Sequence, residues 1–278
     1  MSRTIGFFAA LLVTAFLIRG THAADTSFAD IGRIIGAGQL VVALPALTQP
    51  PYVIDVEGEA PQGFDPWLAR KLAASLKVEL QLDRTATSSD ELVDLVAAGK
   101  ADLALGGIFV TAERALKVPF SRPYVREAPS LLLNRRDTMP FQSTCPTLDE
   151  IIDLLIKPNQ VAVQRGSKVE AVVRQLAPDA VPKLFDDPVE QFAAVVAGDV
   201  LISVHNEAQS RYLLREQPGT RIQIRSCLGG ARSLLVAIAV RPDAPDLLRW
   251  VDTFLEVELI DLTAEELLQF GEREKLWP

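Results

Sequence analysis

The chain has 278 residues, with 28 Lys and Arg against 36 Asp and Glu, and two cysteines. A net charge of −8 repels phosphate backbones and excludes nucleic acid as an expected partner. An apolar content of 49% with 6% aromatics excludes a disordered chain and suits a globular α/β protein, and the length exceeds what one ordinary core organises.

The first element reads as a leader. Arg3 precedes an uncharged apolar run from Ile5 to Ile18, shorter than the roughly 20 residues a membrane span needs. Thr21-His22-Ala23 puts small residues before a cut expected after Ala23, so 1–23 reads as a signal peptide and the mature chain as an exported, soluble protein. The cut leaves 255 residues, room for two lobes, and takes Lys plus Arg from 28 to 26 against an unchanged 36 acidic residues. In an oxidising compartment two lone cysteines pair, which makes Cys145 and Cys227 a candidate disulfide. His205 is the histidine that remains, and neither cysteine has a ligand close in sequence, so neither a metal nor any other cofactor is expected.

Helix starts are marked by caps. Asp65-Pro66 reads as an N-cap and first-position proline opening PWLARKLAASL. Ser88 with Glu91 forms a capping box before ELVDLVAA, which Gly99 ends, and Thr111 caps a short helix that carries Arg114 in its first turn. The same device recurs at Thr147 with Glu150, Ser167 with Glu170, Asp187-Pro188 with Glu190, Asn206 with Gln209 and Thr263 with Glu266.

Between the helices, short apolar runs predict strands at 40–44, 78–83, 101–105, 131–134, 160–163, 183–185, 200–204, 222–225 and 234–240. Strands alternating with helices of about ten residues imply parallel sheets of right-handed βαβ units, enough for two. The runs at 131–134 and 234–240 fit a chain that crosses between lobes and returns. The expected fold class is therefore two doubly wound α/β lobes joined by a two-strand hinge: lobe 1 from 24–128 and 238–278, lobe 2 from 129–237.

Two stretches, PPYVIDVEGEAPQGFDPWLARKLAASL and AAGKADLALGGIFVTAERALKVPFSRPY, resemble the family 3 bacterial extracellular solute-binding proteins. VAVQRGS at 161–167, GDVLISVHNEAQSRYLL at 198–214 and LLVAIAVRPDAPDLLRWVDTFL at 234–255 extend the resemblance over nearly the whole mature chain. It implies a periplasmic binding protein of type II fold that serves an ABC importer and takes an amino acid or another small carboxylate-bearing solute in the inter-lobe cleft. It implies an inner-membrane permease as partner, no catalysis, and a monomer. In such proteins the arginine matching Arg114 grips the ligand carboxylate, and the aromatic matching Tyr52, held extended by two prolines, forms a pocket wall. Thr111, Gly107, Phe109, Ser167, Asn206 and Glu207 complete the implied ligand-binding set, and Gly106 and Gly107 offer backbone N–H groups to a ligand. Asp65 is assigned to its helix cap and left out.

The sequence departs from that pattern where amino-acid receptors place an aspartate for the ligand ammonium. Asn206 stands there, neutral and able to cap its own helix, while Phe109 replaces a small hydroxyl residue. The expected ligand is then a carboxylate with a neutral remainder, or an amino acid bound in another way. Two alternatives share the cleft: a cyclohexadienyl dehydratase-like enzyme using Glu207 and His205 for proton transfer, and a sensory or accessory binding protein.

Overall fold

Two rounds of one strand–helix pattern make up most of the molecule. The computed structural model describes residues 28–138, 144–158, 160–229, 234–259 and 262–276. The expected leader and its cleavage site lie outside them.

After α1 (Ala29–Ala37), the first round runs β1 (Gln39–Ala43), α2 (Phe64–Leu76), β2 (Glu79–Asp83), α3 (Ser89–Ala97), β3 (Leu103–Ala104), α4 (Ala112–Ala115) and β4 (Val125–Glu127). The second runs β5 (Pro129–Asn134), α5 (Leu148–Leu155), β6 (Val161–Gln164), α6 (Lys168–Leu176), β7 (Lys183–Phe185), α7 (Pro188–Ala197), β8 (Ile202–Asn206), α8 (Glu207–Glu216) and β9 (Ile224–Leu228). The chain returns through β10 (Leu234–Val236) and β11 (Ala239–Val240) to α9 (Pro245–Glu258), β12 (Leu262–Thr263) and α10 (Ala264–Glu274).

The sheets share one strand order. In the first, β1 sits between parallel β2 and β3, and β11 adds antiparallel to β3. In the second, β6 sits between parallel β7 and β8, and β5 adds antiparallel to β8 and then to β9. Both sheets are thus mixed rather than purely parallel, because each recruits a strand from the inter-lobe connections. β4 pairs with β10 and β12 in a third, smaller sheet. Val236 of β10 packs in the core that holds Leu40 and Val42 of β1.

Period-two alternation places helices on both faces of each sheet. Leu40 and Val42 of β1 join the core shared with α1, α2 and α9, while Ala43 joins the core under α3. In the second lobe, Leu131, Leu133, Val161 and Val163 pack toward α5 and α6, and Leu132 and Ala162 toward Phe192 and Val195 of α7. Cys145 and Cys227 are bonded (S–S 2.10 Å), tying the segment before α5 to β9 within the second lobe.

The caps at Ser88, Thr111, Thr147, Ser167, Asp187, Asn206 and Thr263 all accept a first-turn N–H of their own helix. At Asp65 the expectation fails. Gly63 is the N-cap of α2, Phe64 the first helical residue, and the Asp65 carboxylate is drawn elsewhere. The Ser88 box is also displaced by one residue: Glu91 accepts from the N–H and hydroxyl of Thr87. The prolines before Tyr52 do not hold the chain extended. Gln49 O accepts from both Tyr52 N (2.9 Å) and Val53 N (3.0 Å), which makes the segment a turn.

Candidate functional site

The parallel strands of both main sheets end at one cavity. The carboxyl ends of β1 and β3 lead into Pro45 and into Gly106 and Gly107, while those of β6 and β8 lead into Arg165, Gly166 and Asn206, and all of these line it. Open α/β sheets form ligand sites at this edge, where diverging loops leave a crevice. The lobes are closed on one another. A side chain on Gly166, whose φ is 66°, would bring its Cβ within 2.8 Å of the Ser88 Cβ. The enclosed space is about 60 Å³, small beside the roughly 300–1,000 Å³ of sites for drug-sized ligands.

The first-lobe wall is built around Tyr52, 2% exposed, whose ring lies over Gly107. A Cβ there would come 2.7 Å from the ring, and the backbone has φ 66°, so glycine is required twice over. The Tyr52 hydroxyl donates to Glu127 of β4, whose other carboxylate oxygen accepts from Ala208 N (2.9 Å) in the first turn of α8. Glu127 thereby joins a pocket wall of one lobe to a helix of the other. Burial pushes its carboxyl up to about 7, against the pull of the bonds from Tyr52 and Ala208.

Asp65 does the equivalent task behind the glycines. One oxygen accepts from Gly106 N (2.6 Å) and Gly107 N (2.8 Å), the other from the Tyr124 hydroxyl (2.8 Å). Burial raises it to about 7 as well. The glycine N–H groups are therefore committed to Asp65 rather than left for a ligand, and the residue assigned to a helix cap is the one that shapes the β3 loop.

Arg114 is 5% exposed, with Nε on Asp90 of α3 (2.8 Å) and Nη1 on the Phe109 carbonyl (2.9 Å). It sits behind Phe109, which lines the cavity, and is not itself a lining residue. Thr111 accepts from Arg114 N (3.1 Å) and acts through that cap.

On the second-lobe wall, Ser167 and Asn206 line the cavity, each with its side-chain oxygen accepting from its own helix, Glu170 N (3.1 Å) and Gln209 N (2.8 Å). Glu207 is not among the lining residues. Its carboxylate accepts from Arg211 Nε (2.8 Å), one turn along α8, and Arg211 also reaches Glu265 of α10 (2.9 Å). His205 is buried between Ser203 Oγ and Gln209 Oε1, both at 2.7 Å, and burial lowers its pKa to about 4.

Of the expected set, the structure brings Tyr52, Gly107, Phe109, Ser167 and Asn206 to the cavity and leaves Arg114, Thr111 and Glu207 off its lining. Sequence reasoning missed Gln164 and Arg165, although both lie within the stretch VAVQRGS that carries the resemblance, and Lys168, which follows it directly. It also missed Glu127, for which no local signal exists.

This architecture, two α/β lobes with a cleft at their strand ends, is that of the periplasmic binding proteins. Residues 40–269 match the model of the bacterial extracellular solute-binding proteins, family 3, and the chain belongs to that family. Among curated relatives it is 29% identical over 182 residues to the amino-acid-binding protein AabA of Dichelobacter nodosus, covering 65% of this chain and 64% of that protein. It is 30% identical over 139 residues to the membrane-bound lytic murein transglycosylase F of Maricaulis maris, covering 50% of this chain and 28% of that one. The chain thus spans less than two thirds of the length of either relative. Among solved structures, the arginine-bound form of truncated ArgBP from T. maritima superposes with a TM-score of 0.66 at 27% identity, over 81% of this chain and 99% of that one.

Proposed function

We propose that this chain is the solute-binding component of an ABC importer. It takes an amino acid or another small carboxylate-bearing solute between its lobes and passes it, unaltered, to an inner-membrane permease. The supporting observation is the closed cavity at the ends of both sheets, walled by Tyr52 and Phe109 and ringed by three helix N-caps, Ser88, Ser167 and Asn206. In this reading Arg114 offers its remaining nitrogen, Nη2, to the solute past Phe109, while Asp90 offsets part of its charge. Closure follows because only the closed form gives the solute both walls. The reading goes with a leader at 1–23, a periplasmic location, a monomer, and lobes near 24–128 and 129–237 whose return pairing starts at β10.

A dehydratase has less support. Glu207 is tied to Arg211, and His205 is locked between Ser203 and Gln209, so neither proposed proton carrier lines the cavity. A sensory or accessory role would use the same cleft and would differ in the membrane partner.

Calorimetric titration of the purified mature protein with the twenty amino acids and short carboxylates tests the proposal. Binding without turnover, accompanied by closure in solution scattering, is expected. Turnover of prephenate or arogenate that disappears in Glu207→Gln would contradict it.

A further inference from the structure

The charged residues that line the cavity, among those described, are Arg165 and Lys168, and no carboxylate lines it. Both cations come from the second lobe. Arg165 places Nε on Asp186 (2.8 Å) with both side chains more than half exposed, whereas Lys168, the first residue of α6, makes no ion pair among the described residues.

Two neutral groups on the same wall, Asn206 and Ser167, point the same way. Asn206 has committed its oxygen to Gln209 N, so its amide NH₂ is what remains for a ligand. Ser167 has committed a lone pair to Glu170 N and keeps its O–H. An ammonium needs acceptors, whereas Asn206, Ser167, Arg165 and Lys168 supply donors and positive charge. On the first lobe a guanidinium, Arg114, donates to the carbonyl of the lining residue Phe109 without itself lining the cavity.

We propose that the solute carries two anionic groups, as a dicarboxylate or an acidic amino acid does, and that Lys168 holds the group facing the second lobe. The inference rests on reading the cleft as the solute site. It goes further by assigning a charge to the solute's second end and a specificity-determining residue to it. A two-ended anion gains a charge-assisted contact from each lobe in the closed form alone, so the same contacts that select it drive closure.

The test is calorimetry of the mature protein and its Lys168→Gln and Lys168→Arg variants with succinate, L-glutamate and L-aspartate against L-glutamine and L-asparagine. The acid forms should bind at least about tenfold tighter than the amides. Lys168→Gln should lose about tenfold or more on the acids and change the amides by less than about twofold, and Lys168→Arg should restore most of the loss. Equal or tighter binding of the amides would overturn the second anionic group while leaving the carboxylate site in place. Unchanged affinity for the acids in Lys168→Gln would overturn the role of Lys168. Failure of every probe would overturn this inference, and failure across the wider titration would overturn the site reading as well.

Discussion

The two walls of the cleft are finished differently. On the first lobe the groups that shape the cavity have protein partners: Tyr52 has Glu127, the Gly106 and Gly107 N–H groups have Asp65, and Arg114 has Asp90 and the Phe109 carbonyl. On the second lobe Lys168, Arg165 and the amide of Asn206 line the space with donors to spare. On the proposed reading the first wall fixes the shape of the site and the second reads the charge of the solute. Preorganising one face limits the ordering needed on binding, and leaving the other uncommitted lets closure report what has bound.

The largest effect should come from the covalent link that belongs to the second lobe alone. The Cys145–Cys227 bond closes 82 residues of chain. Replacing both cysteines by Ala should cost about 4 kcal/mol on the chain-entropy account. Hydrogen exchange should rise in β5 to β9 and stay low in β1 to β3. An equal rise in the first lobe would break the distinction between a stapled wall and a self-supporting one.

Next in size is the proton held by the first wall. Glu127, near 7, lies above the ordinary carboxylate value of 4.5, so in between the folded protein keeps a proton that the unfolded chain has released. The stability this gives is present at low pH and is lost as pH rises from about 4.5 through about 7, to a total of up to about 3 kcal/mol by linkage. Glu127→Gln removes that loss, since an amide can accept from Ala208 N and donate to the Tyr52 hydroxyl. Urea denaturation should therefore show the variant gaining on wild type between pH 5 and pH 8. Asp65, raised to about 7, and His205, lowered to about 4, titrate in both proteins and cancel. A gap of the same size at both pH values would contradict the buried-carboxylate account.

Binding effects come third and fourth. Arg114→Gln should weaken whichever carboxylate binds by about 100-fold, with a small change in melting temperature because its partner Asp90 is 62% exposed. An unchanged Kd would show that the first wall contributes shape without charge. Asp90→Asn, which frees the guanidinium from its counterion, should tighten binding by about threefold. A loss of affinity instead would make Asp90 a required orienting group.

Which parts of this were legible in the sequence follows from the range of each interaction. The caps were readable because a cap joins residues two or three apart, and seven of them hold at the expected side chains. Asp65-Pro66 misled because it imitates that signal while its carboxylate is captured by N–H groups 41 and 42 positions away. Strands β4 and β12, of three and two residues, are too short to carry a period, yet β4 places Glu127. The pairing of Arg114 with Asp90, 24 residues apart, and the burial of Glu127 have no local trace at all. Glu207 could have been read better, since Arg211 four residues on is the usual helical partner for it.

The most direct measurement is mass spectrometry of small molecules released from protein purified without denaturation. The account predicts a solute with carboxylates and no cationic side chain. Recovery of arginine or lysine, displaced by neither succinate nor L-glutamate, would contradict it.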